Sequence, residues 1–279
     1  MILVTGATGT VGREVLRMLP PDRRVRVMAR EPERVRGAAG TVEIVRGDYE
    51  DPESVAAALA GVTRMFLLTS AVGRDDGRFL RAARASGVRH VVKISAAAVE
   101  DHRAEDLITR WQRDNEDLLR GSGMDWTLLR PRSFMSNSLS WASSIRSDGV
   151  VRALYGTSVN SCIDPRDIAE VAVRALTGPG HAGRTYTLTG PEALSAAEQT
   201  AQLSDLLGRP LRFEEMEPGQ ARAQWSARHP DAVVDALLRS AERQREGAKA
   251  GVEDTVQDVC GRPARSYRAW ARDHLSAFS

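Results

Sequence analysis

The chain has 279 residues, of which 42% are hydrophobic, so it can bury a large core in one α/β domain or in a domain with a smaller lobe. Its 39 basic and 37 acidic residues are interspersed and nearly cancel, to a net charge of +2, which argues against a nucleic-acid partner. Two distant cysteines, Cys162 and Cys260, argue against a disulfide framework and predict no metal site. No stretch approaches the ~20 apolar residues of a membrane span, and we expect a cytoplasmic protein without a membrane partner.

The N-terminal segment predicts a strand, a glycine-rich turn, a helix and a second strand. An apolar run at residues 2–4 leads into glycines spaced Gly-x-x-Gly-x-x-Gly, and apolar residues then recur at helical spacing up to Leu19. Gly6 allows a tight turn, Gly9 lets a diphosphate approach the helix N-terminus, and Gly12 lets the helix pack on the sheet. The segment therefore predicts a nucleotide-binding βαβ unit, the alternative being a purely structural turn.

Strands and helices continue to alternate after this unit. Further strands are expected at 42–45, 64–68, 91–94 and 126–129, and helices at 51–59, 78–85 and 104–120. Asp51 is a suitable N-cap with Pro52 at the first helical position. Continuous apolar strands separated by helices predict a parallel sheet covered on both faces, as in a doubly wound Rossmann fold.

The pattern changes after Pro131. We expect a helix from 133, a loop rich in Ser, Gly and Thr over 147–161, a helix over 164–177, a strand over 184–189, and mainly helices from 191, the longest over 231–246. This pattern predicts an α/β protein with a Rossmann NAD(P)-binding domain over 1–190 and a small, mainly helical C-terminal lobe over 191–279. Residues 131–162 are expected to face the substrate.

Several motifs in order resemble one family. They are TGATGTVG at 5–12, VRGDYED at 45–51, VVKISAAA at 91–98, WTLLRPRSFMSN at 126–137, IDPRDIAEVA at 163–172 and TYTLTGPEALS at 185–195. Together they resemble the NmrA-like branch of the atypical short-chain dehydrogenase/reductases over nearly the whole chain. The resemblance implies an NAD(P)-binding protein. The family includes quinone reductases, relatives of isoflavone reductase, tailoring reductases of aromatic natural products, and redox-sensing regulators.

The residue that ends the second strand predicts the cofactor. NAD-selective proteins of this architecture place an acidic residue there, on the adenosine ribose. Here the residue is Arg30, with Arg34 one turn further on, and a guanidinium suits a 2′-phosphate. NADP(H) is therefore favoured, and NAD(H) is not excluded. The alternative is that Arg30 is one more surface arginine in an arginine-rich chain.

The resemblance also implies further cofactor contacts. Asp48 is expected at the adenine and Thr69 and Ser70 at the ribose and pyrophosphate, whereas Tyr49 is either there or in the core. Lys93, or its neighbours Ile94 and Ser95, is expected near the nicotinamide ribose, the alternative being that Lys93 points to solvent. The expected cofactor residues are Gly6, Thr8, Gly9, Thr10, Val11, Gly12, Arg30, Asp48, Tyr49, Thr69, Ser70, Lys93, Ser95, Pro131 and Phe134.

The acid of ordinary short-chain reductases, a tyrosine with a lysine four residues later, is missing. None of the tyrosines has a lysine at that spacing, and the resemblance places Ile108 and Gln112 at the equivalent positions. The catalytic acid is therefore unknown, with His102 and Gln112 as candidates. The expected substrate-binding residues are Trp111, Gln112, Phe134, Met135, Asn137, Trp141 and Tyr155.

Two functions fit this absence. In the first, hydride is transferred to a quinone or a conjugated polycyclic ketone, whose reduced form is stabilised by conjugation, so solvent supplies the proton and the protein acts by positioning. In the second, the protein binds NADP(H) as a redox-sensing regulator without turnover. We favour the NADPH-dependent reductase, with a small aromatic or quinone substrate. A homodimer is possible.

Overall fold

The computed structural model of the chain describes residues 1–36, 42–69, 72 and 76–279. These residues form two compact units. The first unit contains Met1–Ala104, Thr109–Pro131 and Pro165–Thr187, and the second contains Glu105–Ile108, Arg132–Asp164 and Leu188–Ser279. The second unit therefore includes the segment after β-strand Asp125–Pro131, whereas the sequence-based division fell between residues 190 and 191. That division stays a prediction.

Most strands belong to one sheet. In chain order the strands are β1 (Ile2–Thr5), β2 (Val25–Ala29), β3 (Glu43–Arg46), β4 (Arg64–Leu67), β5 (His90–Ile94), β6 (Asp125–Pro131), β7 (Val150–Ala153), β8 (Arg184–Leu188) and β9 (Arg212–Glu215). A seven-stranded sheet has the order β3-β2-β1-β4-β5-β6-β8, and its neighbours from β3 to β6 pair in parallel. Strand order reverses on either side of β1, which makes the carboxyl end of β1 the switch point of the sheet. The predicted doubly wound parallel sheet is confirmed.

Helices flank this sheet. In chain order the α-helices of the described residues are α1 (Thr10–Met18), α2 (Pro52–Leu59), α3 (Gly77–Ala85), α4 (Leu107–Arg120), α5 (Ala142–Asp148), α6 (Pro165–Thr177), α7 (Ala196–Leu207), α8 (Pro218–Ser226), α9 (Asp231–Arg245), α10 (Thr255–Cys260) and α11 (Tyr267–Asp273). Helices α1 and α6 pack against each other, and α2 packs against α3. The predicted start of α2 is confirmed, because Pro52 is its first residue and the Asp51 carboxylate accepts a hydrogen bond from the Glu53 amide at 3.1 Å.

The core of the first unit explains why its strands are apolar without alternation. Every residue of β1 and β5 is buried. Leu3 and Met65 of the sheet share a hydrophobic cluster with Leu59 of α2, Phe79 of α3 and Leu119 of α4. A parallel sheet covered by helices has no solvated face, so polar alternation is absent from its central strands.

The second unit has its own core. Trp270 and Tyr267 of α11 pack with their ring centroids 5.7 Å apart, in a cluster with Ile145 of α5, Leu203 of α7 and Phe278. Strands β7 and β9 pair in parallel as a separate two-stranded sheet. The mainly helical character expected for the C-terminal part is confirmed.

Four details of the predicted elements differ from the structure. The loop expected over 147–161 contains β7, and the helical region expected after Pro191 contains β9. Both strands are four residues long and pair across 62 positions, so neither sequence carries a local signal of its partner. Helix α4 begins at Leu107 instead of Ala104. The segment after Ser133 is a 3₁₀ helix, Met135–Trp141, which leads into α5.

In the part of the chain that the structure describes, no helix combines the length and apolar character needed to cross a membrane. Within the same residues, no three side chains among His, Cys, Asp and Glu are grouped in a way that would hold a metal ion.

Candidate functional site

The carboxyl ends of β1 and β2 open onto a cavity of about 680 Å³ in the first unit. Its lining includes seven of the residues expected to bind cofactor, namely Gly6, Thr8, Gly9, Arg30, Asp48, Tyr49 and Thr69. It also includes Arg34, and eight residues that the sequence did not predict: Ala7, Met28, Ala29, Gly47, Glu50, Leu68, Arg78 and Phe79. A cavity of this volume lies in the range of small-molecule and cofactor sites.

The glycine turn that leads into α1 lines this cavity. Gly6 has a φ of +67°, which disfavours any residue with a side chain. A Cβ on Gly12 would lie 2.2 Å from the carbonyl oxygen of Gly6, so only glycine fits between the helix and the turn. The N-cap of α1 is Gly9, and no side chain caps the helix there. A helix N-terminus without a side-chain cap, reached through a turn without bulky side chains, fits the diphosphate of a dinucleotide.

Three of the residues expected beside this turn have other placements. Thr10 is the first residue of α1, Val11 is buried in the core, and Gly12 is buried against the turn, so none of them lines the cavity. Ser70 lies outside the described residues. The binding roles of all the expected cofactor residues stay predictions.

Arginines line the end of the cavity at β2. Arg30 follows β2 directly and is exposed, and Arg34 is exposed and forms an ion pair with Glu31 at 3.1 Å. Arg78 of α3 also lines the cavity and is exposed. The carboxylate of Asp48 accepts a hydrogen bond from the Glu50 amide at 3.1 Å, which leaves acceptor positions on the carboxylate.

Tyr49 closes one wall of the cavity. Its hydroxyl donates to the Leu68 carbonyl at 3.2 Å, and its ring centroid lies 4.7 Å from that of Phe79. Burial raises the pKa of Tyr49 far above its ordinary value. The phenol of Tyr49 is therefore neutral. The sequence left open whether Tyr49 lies at the cofactor site or in the core, and the structure shows it both lining the cavity and packing against the core.

Lys93 lies in a buried polar network. Its side chain is 0% exposed and its Nζ lies 2.6 Å from Oδ2 of Asp76, whose side chain is also 0% exposed. The other oxygen of Asp76 accepts a hydrogen bond from the Thr69 hydroxyl, and the Asp76 amide donates to Oδ1 of Asn115 at 2.8 Å. The alternative in which Lys93 points to solvent is therefore wrong. A single lysine within an apolar strand indicates that a buried carboxylate lies nearby to pair with it. The sequence analysis did not identify that carboxylate as Asp76.

Ser95 also has a charged partner. Its hydroxyl donates to Glu116 at 2.5 Å, and the same carboxylate accepts from two nitrogens of Arg130, at 2.9 and 2.6 Å. Burial of Glu116 opposes ionisation, but the hydrogen bonds from Arg130 and then Ser95 hold the pKa of Glu116 below its ordinary value. These hydrogen bonds connect Ser95, the residue after β5, with α4 and β6.

The candidate catalytic and substrate residues of the first unit do not share one environment. His102 is exposed, in the segment between β5 and α4. Trp111 and Gln112 are half-buried in α4. The Oε1 atom of Gln112 is buried without a hydrogen-bond partner in the described residues, so it can accept from a ligand donor. Pro131 is buried at the end of β6.

The second unit holds the remaining candidates. Met135 is 1% exposed and, with Trp141, belongs to the core of this unit, so the structure shows Met135 packed in the core. Phe134 is half-buried and pairs in a bridge with Ile163, and Asn137 is exposed. Their roles in substrate binding stay predictions.

Tyr155 has a separate environment in the second unit. Its φ of +51° is the one positive value among the described non-glycine residues, and this left-handed conformation costs ~1 kcal/mol. The guanidinium of Arg245 lies 5.1 Å from the centroid of its ring. The ring of Tyr155 therefore contacts the guanidinium of Arg245. Tyr155 is not part of the core cluster that contains Met135 and Trp141.

A doubly wound sheet with a glycine turn at its switch point and a cavity beside it defines a dinucleotide-binding protein. A protein-family model described as NAD(P)H-binding matches residues 6–179. The chain belongs to this NAD(P)H-binding family, and its structural neighbours are atypical, NmrA-like short-chain reductases.

Named relatives cover the whole chain. A Streptomyces griseus protein named (4-alkanoyl-5-oxo-2,5-dihydrofuran-3-yl)methyl phosphate reductase is 56% identical over 280 residues, covering 100% of this chain and 99% of the relative. An NAD(P)H azoreductase of Xenophilus azovorans is 38% identical, covering 100% and 99%. The Escherichia coli NADPH-dependent quinone oxidoreductase, solved with NADPH, has a TM-score of 0.84 at 25% identity and covers 99% of this chain and 100% of that one. The protein is an NAD(P)H-dependent reductase.

Proposed function

We propose that the protein uses NADPH to reduce the ring double bond of a furanone that carries a methyl phosphate group. The observation that carries this proposal is the 56% identity, over the full length of both chains, to the Streptomyces griseus reductase named for that substrate. A second observation agrees with it. The chain has no tyrosine followed four residues later by lysine, so its substrate must be reducible without that acid.

The chemistry of such a furanone removes the need for a strong acid. The name of the relative's substrate places its double bond between the carbon that carries the methyl phosphate and the carbon that carries the alkanoyl group, next to the ring carbonyl. NADPH, when bound, would supply the hydride. Hydride addition to the phosphate-bearing side leaves an electron pair on the carbon between two carbonyls, where both oxygens stabilise it. Water can then protonate that carbon, and the protein acts mainly by positioning.

The preference for NADPH over NADH rests on the cavity at β2. Arg30 and Arg34 line it at the position where an acidic residue would bind the ribose hydroxyls of NAD. Two guanidinium groups supply planar donors that match the oxygens of a 2′-phosphate. Tighter binding of NADH than of NADPH in a direct titration would contradict this preference.

A quinone or conjugated polycyclic ketone is the second candidate substrate. It is favoured by the 27% identity to Escherichia coli quinone oxidoreductase 2 over 94% of both chains. Quinones and furanones share the property that matters here, since conjugation stabilises the reduced product in both. The interpretation as a redox-sensing regulator without turnover is set aside, because the protein is a reductase. A homodimer and a cytoplasmic location stay predictions.

The test is the acceptor-dependent loss of NADPH absorbance with the phosphorylated furanone and with a simple naphthoquinone. We expect a higher kcat/KM with the furanone. The opposite order would favour the quinone, and an absence of reduction of either compound would overturn both assignments.

A further inference from the structure

Arg78 of α3 is a cation in the cofactor cavity that the sequence did not predict. It lines the cavity together with the glycine turn and Arg30, and it is exposed. Within the part of the chain that the structure describes, its guanidinium forms no hydrogen bond or ion pair. Arg34 differs, because it pairs with Glu31. The donors and the planar faces of the Arg78 guanidinium are therefore available to a ligand in the cavity.

The start of α3 holds the backbone of Arg78 in place. Asp76, the residue before this helix, is buried, and its carboxylate pairs with Lys93. Its amide donates to Oδ1 of Asn115 at 2.8 Å, and its carbonyl accepts from the Leu80 amide at 2.8 Å. Arg78 lies two residues after Asp76. Its backbone is therefore fixed at the cavity, although its guanidinium is free to contact a ligand.

The part of the cavity wall next to Arg78 is apolar and aromatic. Phe79, the next residue of α3, lines the cavity, and its ring centroid lies 4.7 Å from that of Tyr49. The Tyr49 hydroxyl donates to the carbonyl of Leu68 at 3.2 Å, and Leu68 also lines the cavity. These three residues form one continuous wall. A flat ring fits such a wall better than a phosphate does.

The adenine of a dinucleotide is a ring of this kind. Asp48, which precedes Tyr49, has carboxylate acceptor positions for the adenine amino group. We propose that the guanidinium of Arg78 stacks on the adenine of the cofactor and holds it against Tyr49, Leu68 and Phe79. All of these residues belong to the first unit.

This role differs from the one proposed for Arg30. NADPH and NADH contain the same adenine, so Arg78 strengthens the binding of both by the same factor. Arg30 acts on a 2′-phosphate that NADH lacks. The inference concerns the cofactor alone and does not depend on which substrate the protein reduces.

The first test is a fluorescence titration of NADPH and of NADH into the wild type and Arg78→Met. Loss of a stacked guanidinium predicts that the Kd of NADPH rises by roughly 3- to 30-fold, and that the Kd of NADH rises by the same factor. A rise for NADPH alone would assign Arg78 to the 2′-phosphate and overturn the inference. Unchanged Kd values would overturn it as well. Because Arg78 is exposed, the variant should keep the wild-type Tm.

The second test separates the adenine from the diphosphate. Adenosine contains the base without a phosphate, and reduced nicotinamide mononucleotide contains a phosphate without the adenine. Arg78→Met should raise the inhibition constant of adenosine against NADPH by the factor seen for NADPH itself, and should leave the Kd of the mononucleotide unchanged. An unchanged inhibition constant of adenosine would mean that Arg78 contacts the diphosphate, and would overturn the inference.

The matched control is Arg81→Met. Arg81 lies one turn after Arg78 on α3 and is also exposed, but it is not among the residues that line the cavity. This variant should bind both dinucleotides as the wild type does. An equal loss of affinity in the two variants would mean that overall positive charge, and not a stacked guanidinium, sets the affinity. None of these measurements involves turnover, so a failure of the furanone proposal would leave their outcome unaffected.

Discussion

Substitution of Lys93 by methionine should lower Tm, whereas the same substitution of Lys249, the other lysine of the chain, should not. Lys93 and Asp76 are both 0% exposed and 2.6 Å apart, so Lys93→Met leaves a carboxylate buried without its cation. Breaking a buried pair in this way costs about 3 to 5 kcal/mol. For a chain of this size the loss corresponds to a fall in Tm of roughly 6 to 20 °C. Lys249 donates to the Ser240 hydroxyl at 2.9 Å and has no ion-pair partner among the described residues, so Lys249→Met should leave Tm unchanged or raise it.

Thermal unfolding of the cofactor-free protein, followed by circular dichroism, measures both changes. The matched variant is Lys93→Met combined with Asp76→Asn, which removes both charges but keeps an acceptor for the Thr69 hydroxyl. It should recover much of the lost stability, because no buried charge remains unpaired. Since Thr69 lines the cofactor cavity, Lys93→Met should also raise the KM for NADPH. Equal Tm changes in the two single lysine variants would refute the reasoning.

Three further predictions concern the cofactor, the proton and acid stability. Arg30→Ala should raise the KM for NADPH by roughly 10- to 100-fold, with little change in kcat or in the KM for NADH, because Arg30 is the residue proposed to contact the 2′-phosphate. Equal effects on the KM values of both cofactors in steady-state kinetics would contradict this proposal. His102→Ala should leave kcat nearly unchanged if water protonates the product, whereas a large loss of kcat would identify His102 as the acid. The pKa of Glu116 is lowered in the folded state, so its contribution to stability is complete above its ordinary pKa of about 4.3 and is lost as pH falls through the lowered value. Urea midpoints measured from neutral to acid pH should show this loss, and Arg130→Gln should move it to higher pH; an identical pH profile in that variant would argue against the pair.

The parts predicted correctly from sequence are those set by local chemistry. The glycine turn requires Gly6 and Gly12 because no side chain fits at either position. The start of α2 is set by Pro52 and by the Asp51 side chain, which accepts a hydrogen bond from the Glu53 amide. Such signals lie within a few residues of the feature that they specify. The central strands were predicted for a similar reason, because burial on both faces makes each one apolar throughout.

The missed parts depend on partners that are distant in sequence. Nothing near Val150 indicates that β7 pairs with a strand 62 residues later. Lys93 has its partner 17 residues before it, and Ser95 has its partner 21 residues after it. The placement of Met135 in the core depends on α7 and α11, which lie far along the chain. Pattern and spacing specify the elements, but these pairings arise only when the elements pack.

The packing of α1 against α6 has a consequence for the order of synthesis. Helix α1 carries the glycine turn and ends at Met18, but α6, which covers it, ends at Thr177. Ribosomes add about 5 to 20 residues per second, so roughly 10 to 30 s separate the emergence of the two helices. During that interval the part of α1 that packs against α6 in the folded protein lacks this partner. The glycine turn is therefore made early, whereas the helix that packs against α1 is complete only once residue 177 has been made.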